Sequence, residues 1–182
     1  MNKQGEMEIA TFAGGCFWCT EAVFLELKGV ESVVSGYIGG KMANPTYKEI
    51  CNGDTGHAEA IQISFNPNEI SFGELLEIFF ATHDPTTLNR QGNDVGTQYR
   101  SEIFYHNEDQ KEISESYIEL LTQENTFGKP IVTGISPATL FYPAEDYHQN
   151  YYNQHQEQGY CSYIITPKIE KLKKVYKDKL KK

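Results

Sequence analysis

The sequence predicts an α+β fold: a two-layer α/β sandwich with a ferredoxin-like core, a mixed sheet and long functional loops. Three observations carry that expectation. The hydrophobic pattern switches between strand-like and helix-like periods in the order β-α-β-β-α-β-α-β. Two polar, glycine-containing stretches, residues 39–57 and 84–98, are longer than ordinary connections in a compact domain. No repeat, low-complexity tract or linker divides the 182 residues, so one domain is expected.

Residues 7–12 read as the first strand. Ala22, Val23, Leu25 and Leu27 are spaced for a helix over 17–27, stopped by Gly29. Residues 30–37 read as a second strand. The 39–57 loop, dense in Gly, Asn, Pro and Asp, has room for one short helix. Residues 60–65 alternate apolar and polar side chains, as a half-buried strand does. Ser71-Phe72-Gly73-Glu74 has capping-box spacing, in which serine and glutamate satisfy each other's free amides, and it opens a helix through Thr82. A polar loop at 89–97 leads to a strand at 99–105, an exposed helix at 108–124 and a strand at 131–135. Residues 146–154 are expected to be helical and 160–165 to form a short strand. Pro167 then begins a lysine-rich tail helix with Ile169, Leu172, Val175 and Tyr176 on its inner face.

Composition narrows the function. Hydrophobic residues make up 39% and aromatics 13%, enough for a packed core and against a disordered chain. Twelve tyrosines supply hydroxyls that can line a pocket. The net charge of -9 is unevenly spread: residues 168–182 hold eight lysines against Glu170 and Asp178, a balance of +6, so the rest carries -15. An acidic body disfavours nucleic acid, whose phosphates need a cationic face. No apolar run approaches the roughly 20 residues that span a bilayer, and no membrane partner is expected. The N-terminal ten residues lack the apolar stretch of a secretory leader, so a reducing, cytoplasmic setting is the expectation. There, Cys16, Cys19, Cys51 and Cys161 are candidates for catalysis, packing or metal binding rather than a disulfide framework.

Cys16 is singled out by its place. It follows Gly14-Gly15 after a strand and opens a helix, where free amides and the helix dipole favour a thiolate. Phe17 and Trp18 can wall such a site, or simply begin the helix's core face. Cys16-x-x-Cys19 also fits a redox dithiol or half a zinc site. Zinc lacks the second ligand pair, since Cys51 and Cys161 stand alone and the five histidines have no tight spacing. A thioredoxin-type dithiol leaves the two long loops without a purpose. A peptide-binding module with an aromatic pocket is a third, non-catalytic possibility.

Gly15-Cys16-Phe17-Trp18 resembles the GCFW signature of the peptide methionine sulfoxide reductase A family. Further segments resemble the family in the same order: 36–40 (GYIGG), 44–47 (NPTY), 53–59 (GDTGHAE), 83–85 (HDP), 90–94 (RQGND), 96–101 (GTQYRS) and 144–149 (AEDYHQ). The resemblance spans most of residues 9–165. It implies one reductase domain over 1–182 with a basic C-terminal helix, and reduction of methionine S-sulfoxide in proteins and as the free amino acid. It also implies Cys16 as nucleophile, Glu59 as proton donor, Tyr47 and Tyr99 as donors to the sulfoxide oxygen, Phe17 and Trp18 as the methyl pocket, and Asp94 as the group that orients the substrate backbone. No metal or organic cofactor is implied, and thioredoxin or a similar dithiol protein is the implied reductant of a monomer. The family's usual glycine is Cys19 here. Cys161 occupies the resolving position that the resemblance implies; Cys19, or a relay through both, is the alternative. Cys51 is expected to be a packed thiol.

Overall fold

The structure, a computed structural model, describes residues 7–181. Residues 1–6, most of the stretch read for a leader, and Lys182 of the tail lie outside the described residues. In chain order the elements are β1 (Glu8–Gly14), α1 (Phe17–Leu25), β2 (Val30–Ile38), α2 (Tyr47–Cys51), β3 (Ala58–Phe65), α3 (Phe72–Thr82), β4 (Arg90–Gln91) and β5 (Asp94–Val95). They continue with β6 (Ser101–Tyr105), α4 (Glu108–Gln123), β7 (Gly134–Pro137), β8 (Tyr142–Pro143), α5 (Tyr151–Gln154) and α6 (Thr166–Val175).

A six-stranded sheet of the described residues runs β7-β6-β1-β3-β2-β8. β6 and β7 are parallel and the other neighbours antiparallel, so the sheet is mixed as expected. The central order β6-β1-β3-β2, with α1 and α3 as the crossovers, is the ferredoxin-like arrangement. On the helix-covered face Phe12 of β1 stacks on Phe79 of α3 at 4.8 Å and tilts against Phe24 of α1 at 5.8 Å. Each such fully buried ring contributes about 1.5–3 kcal/mol relative to an exposed one. The capping box holds as read: Ser71 N donates to Glu74 Oε1 at 3.0 Å and Glu74 N to Ser71 Oγ at 3.1 Å. On the opposite face Ala13, Ile38, Ala58, Ala60 and Phe104 pack under Phe141.

Register brings the two long loops together. Gly14, at the end of β1, pairs with Ser101 at the start of β6, and Tyr37 near the end of β2 pairs with Glu59 near the start of β3. The antiparallel order therefore gathers the loops before β3 and before β6 at the edge where β1 hands over to α1. Among the described residues no helix is long and apolar enough to cross a membrane.

Several expectations need correction. Residues 160–165 are helical: Cys161–Ile165 is a wide helical turn that runs into α6. Cys161, Ile165, Ile169 and Leu172 are all buried, a spacing of four, four and three that belongs to a helix face. Val175, expected inside, is 58% exposed, because α6 ends there. The strand expected at 131–135 lies at Gly134–Pro137, and the one at 99–105 begins at Ser101 after a tight turn, Thr97–Tyr99. The helix expected at 146–154 is a turn, Asp146–His148, and the short α5, separated by Asn150 at φ 53°.

Candidate active site

Cys16 sits where β1 turns into α1, and the two glycines before it are sterically required. A Cβ on Gly14 would lie 2.8 Å from the Phe79 ring. Gly15 has φ +95°, and a Cβ there would meet Gln91 Cγ at 2.5 Å. Cys16 itself caps α1 in an extended conformation and is half-buried. Cys19 lies one turn on, its backbone amide donating to the Cys16 carbonyl at 3.1 Å. Burial, then the neighbouring Cys19 thiol and the charge of Glu59, holds the Cys16 thiol well above its usual range, although the Trp18 amide pulls the other way. Cys19 is drawn down to about 7, chiefly by the neighbouring Cys16 thiol and further by Lys168 and the Tyr160 hydroxyl. Burial thus opposes, at Cys16, the thiolate that the helix terminus favours.

Glu59 of β3 is 1% exposed, and its Oε1 accepts from the Phe17 amide at 3.2 Å. Burial pushes its carboxyl up to about 8, against the opposing pull of that amide, so it is largely protonated at neutral pH. Tyr47 and Tyr99 are half-buried and both feel Glu59; burial first, and that charge second, hold both hydroxyls above the ordinary tyrosine value. Tyr47 is fixed by its loop. Thr46 and Glu49 form a capping box around α2, and Tyr47 N donates to Glu145 Oε2 at 2.9 Å while Tyr37 donates to Oε1 at 2.9 Å. His57 staples the same loop: Gly40 N donates to its Nδ1 at 3.0 Å and its Nε2 donates to the Met42 carbonyl at 2.7 Å.

Phe17 is buried between Tyr37, His148 and Tyr47, with ring centroids at 5.7, 5.2 and 6.5 Å. Trp18 stacks on Tyr151 at 3.8 Å, and its indole donates to His148 Nδ1 at 3.1 Å. Asp94, on the β4–β5 hairpin, accepts from the Tyr160 hydroxyl at 2.8 Å, and that hydroxyl lies 3.5 Å from Cys19 Sγ. Cys16, Phe17, Trp18, Cys19, Tyr47, Glu59 and Asp94 thus lie around the start of α1.

Three participants were not singled out in the sequence. Glu21, in the middle of α1 and 1% exposed, accepts from Asn150 N at 2.8 Å and Tyr151 N at 3.3 Å. An acid directly before the apolar run Ala22-Val23-Phe24-Leu25 was the available signal. His148 and Tyr151 carried no signal of their own, because the distant chain segment had first to be brought to Trp18. Cys161 is fully buried, and burial and the charge of Cys19 raise its thiol. Cys51, expected to be packed, is exposed, because α2 turns it outward beside Tyr47. Among the described residues no group of three His, Cys, Asp or Glu is placed to hold a metal ion.

A buried acid, two tyrosines and a thiol pair converging on one helix terminus define a thiol oxidoreductase site. The chain belongs to the peptide methionine sulfoxide reductase family, whose family model matches residues 8–180. The peptide methionine sulfoxide reductase MsrA of Deinococcus radiodurans is 59% identical, over 99% of this chain and 90% of that protein. That of Sulfolobus acidocaldarius is 57% identical over 95% of this chain and 97% of its own length. Among solved structures, reduced Mxr1 of Saccharomyces cerevisiae matches with a TM-score of 0.77 at 36% identity, covering 88% of this chain and 92% of that one. Mxr1 in complex with Trx2 matches with a TM-score of 0.54 at 29% identity, covering 83% of this chain and 88% of that one.

Proposed function

We infer that this protein is a thioredoxin-dependent peptide-methionine (S)-S-oxide reductase that repairs oxidised methionine in proteins and also takes the free amino acid. The observation that carries the reading is the buried Glu59 carboxyl, hydrogen-bonded at 3.2 Å to the residue beside Cys16 and pushed up to about 8 by that burial. A sulfoxide sulfur accepts a nucleophile only when its oxygen is protonated or firmly hydrogen-bonded. Glu59 supplies the proton, and Tyr47 and Tyr99 stabilise the oxygen as charge develops. Cys19, one turn away on α1 and drawn down to about 7, takes the Cys16 proton as Cys16 attacks. The sulfoxide oxygen passes to Cys16, leaving methionine and a Cys16 sulfenic acid.

Phe17 and Trp18 wall the substrate methyl, and Asp94, steadied by Tyr160, orients the backbone. With the oxygen site and the methyl wall both fixed, one sulfoxide epimer fits, the S form. Cys19, in the first turn of the helix that Cys16 caps, condenses with the sulfenic acid and releases water. Cys161 then exchanges onto Cys19, freeing Cys16 and presenting a second disulfide to an external dithiol. Thioredoxin fits that role; a structural relative is known in complex with Trx2. Residues 1–182 act as one reductase domain in the cytoplasm, where dithiol reductants are maintained.

The test is a single turnover without reductant. One methionine per chain, with two thiols lost, is expected, and none from Cys16→Ser. Methionine production by Cys16→Ser would refute the assignment.

A further inference from the structure

Trp18 is the only tryptophan in the chain, and its indole is held in two different ways. Tyr151 stacks on it at 3.8 Å with 6° between the planes, and Tyr160 meets it edge-on at 6.0 Å. Stacking sets the plane of a ring but resists rotation within that plane only weakly. The indole has one polar atom, and that N–H donates to His148 Nδ1 at 3.1 Å. This directional contact fixes the rotation that the stack leaves free.

His148 is firmly mounted. Its amide donates to the Glu145 carbonyl at 2.9 Å. Next to it in the chain, the Gln149 side chain is tied to both backbone groups of Ser35 on β2, each at 2.9 Å. The imidazole is 1% exposed, with the Tyr47 and Tyr147 rings at 4.3 and 4.1 Å between centroids. An indole N–H only donates, so Nδ1 is the bare nitrogen and the proton sits on Nε2. Burial, against the opposing charge of Glu145, lowers the imidazole pKa and favours this neutral form. Yet Nε2 is buried with no hydrogen-bond partner among the described residues. A side chain kept for packing alone would not strand a buried N–H, a cost that an apolar residue avoids.

Resting on the reductase reading, we propose that His148 is a positioning residue for substrate binding: its bare Nδ1 locks the rotation of the Trp18 indole and so shapes the wall that receives the sulfoxide methyl group. Tyr151 sets the plane of that wall and His148 its orientation. The unpartnered Nε2–H is the cost of keeping Nδ1 free to accept. Cys16 and Glu59 are held by other contacts, at the α1 terminus and in β3. His148 therefore acts on binding of the substrate rather than on the chemical step.

The experiment compares His148→Leu and His148→Asn with the unaltered protein in single turnovers of methionine S-sulfoxide, so that recycling does not enter. Both replacements remove the ring and have nearly the same shape, but only asparagine can set an acceptor oxygen where Nδ1 was. Methionine formation by the unaltered protein tests the reductase reading by itself. In His148→Leu the half-saturating sulfoxide concentration should rise about fivefold to tenfold, as loss of one neutral hydrogen bond allows, with the limiting rate within about twofold. His148→Asn should recover most of that rise. Because Trp18 is the only tryptophan, the ¹⁵N-labelled unaltered protein has one indole N–H resonance, which should couple across the hydrogen bond to an unprotonated Nδ1. Equal half-saturation in the leucine and asparagine variants, or a limiting rate that falls while half-saturation holds, overturns the proposal. So does a protonated Nδ1 in the unaltered protein, a result that stands even where a variant fails to fold.

Discussion

The backbone amide of Phe17 donates to Glu59 Oε1 at 3.2 Å, tying the buried carboxyl to the residue that follows the nucleophile. The same α1 terminus therefore positions both the thiol and the acid. The carboxyl reaches it from β3 because the sheet register sets Glu59 opposite Tyr37, at the edge where β1 ends. Acid and nucleophile cannot drift apart without breaking the sheet edge.

Removing the acid should slow the first chemical step. Glu59→Gln keeps a polar group of similar size and loses the proton. A decrease of about 10²–10⁴ in the rate of methionine formation is expected from loss of general acid catalysis. In the unaltered protein that rate should rise as Cys19 ionises near 7 and fall as Glu59 loses its proton near 8. Stopped-flow measurements across pH 5–10 should find the falling limb in the unaltered protein alone. An identical profile in both would remove the acid role from Glu59.

The same carboxyl affects stability. Its folded value, about 8, lies above the ordinary 4.5, so the unfolded chain loses this proton first as pH rises. Its stabilising contribution is complete below about 4.5 and is lost progressively as pH rises through 8. The upper bound on that loss is on the order of 3–5 kcal/mol. Glu59→Gln should gain in Tm relative to the unaltered protein between pH 5 and pH 9, measured by calorimetry. A constant difference would mean that the carboxyl is charged in the fold.

Glu21 holds the aromatic wall in place. Its carboxylate oxygens receive the Asn150 and Tyr151 amides, and Tyr151 in turn stacks on Trp18. Glu21→Ala removes the acceptor of two part-buried amides and should cost about 1–3 kcal/mol in urea unfolding. It should also raise KM for peptide substrates more than it lowers kcat, as the indole loses its support. A KM left unchanged would confine Glu21 to stability.

The order of disulfides distinguishes the thiols. With Cys161→Ser, one turnover should end in a Cys16–Cys19 disulfide; with Cys19→Ser the Cys16 sulfenic acid should persist long enough to be trapped by dimedone. Peptide mapping by mass spectrometry reads both. A Cys16–Cys161 disulfide formed at the normal rate in Cys19→Ser would bypass the relay.

Much of this site could be read before the fold was known. Gly14-Gly15-Cys16 marked a strand-to-helix turn, because a pair of glycines followed by a reactive side chain has few other uses. The paired Ser71 and Glu74 fixed the start of α3 through local hydrogen bonds alone. Glu59, Tyr47, Tyr99 and Asp94 were legible only through family segments, since neither spacing nor periodicity says which loops meet. Residues 160–165 misled because aromatic and β-branched side chains favour strands, while burial every third or fourth residue from Cys161 to Leu172 makes the segment helical. Glu21 and His148 stayed hidden because their partners lie 129 and 130 residues away. Helix geometry pointed to a Cys16 thiolate, and only the packed site brings in the opposing effects of burial and Glu59.

The measurement that bears most directly on the account is methionine release from the separate S and R epimers of methionine sulfoxide, with thioredoxin or dithiothreitol as reductant. Methionine should form from the S epimer and not from the R epimer. Release from R alone, or from neither, would contradict the assignment of oxygen donors and methyl wall around Cys16.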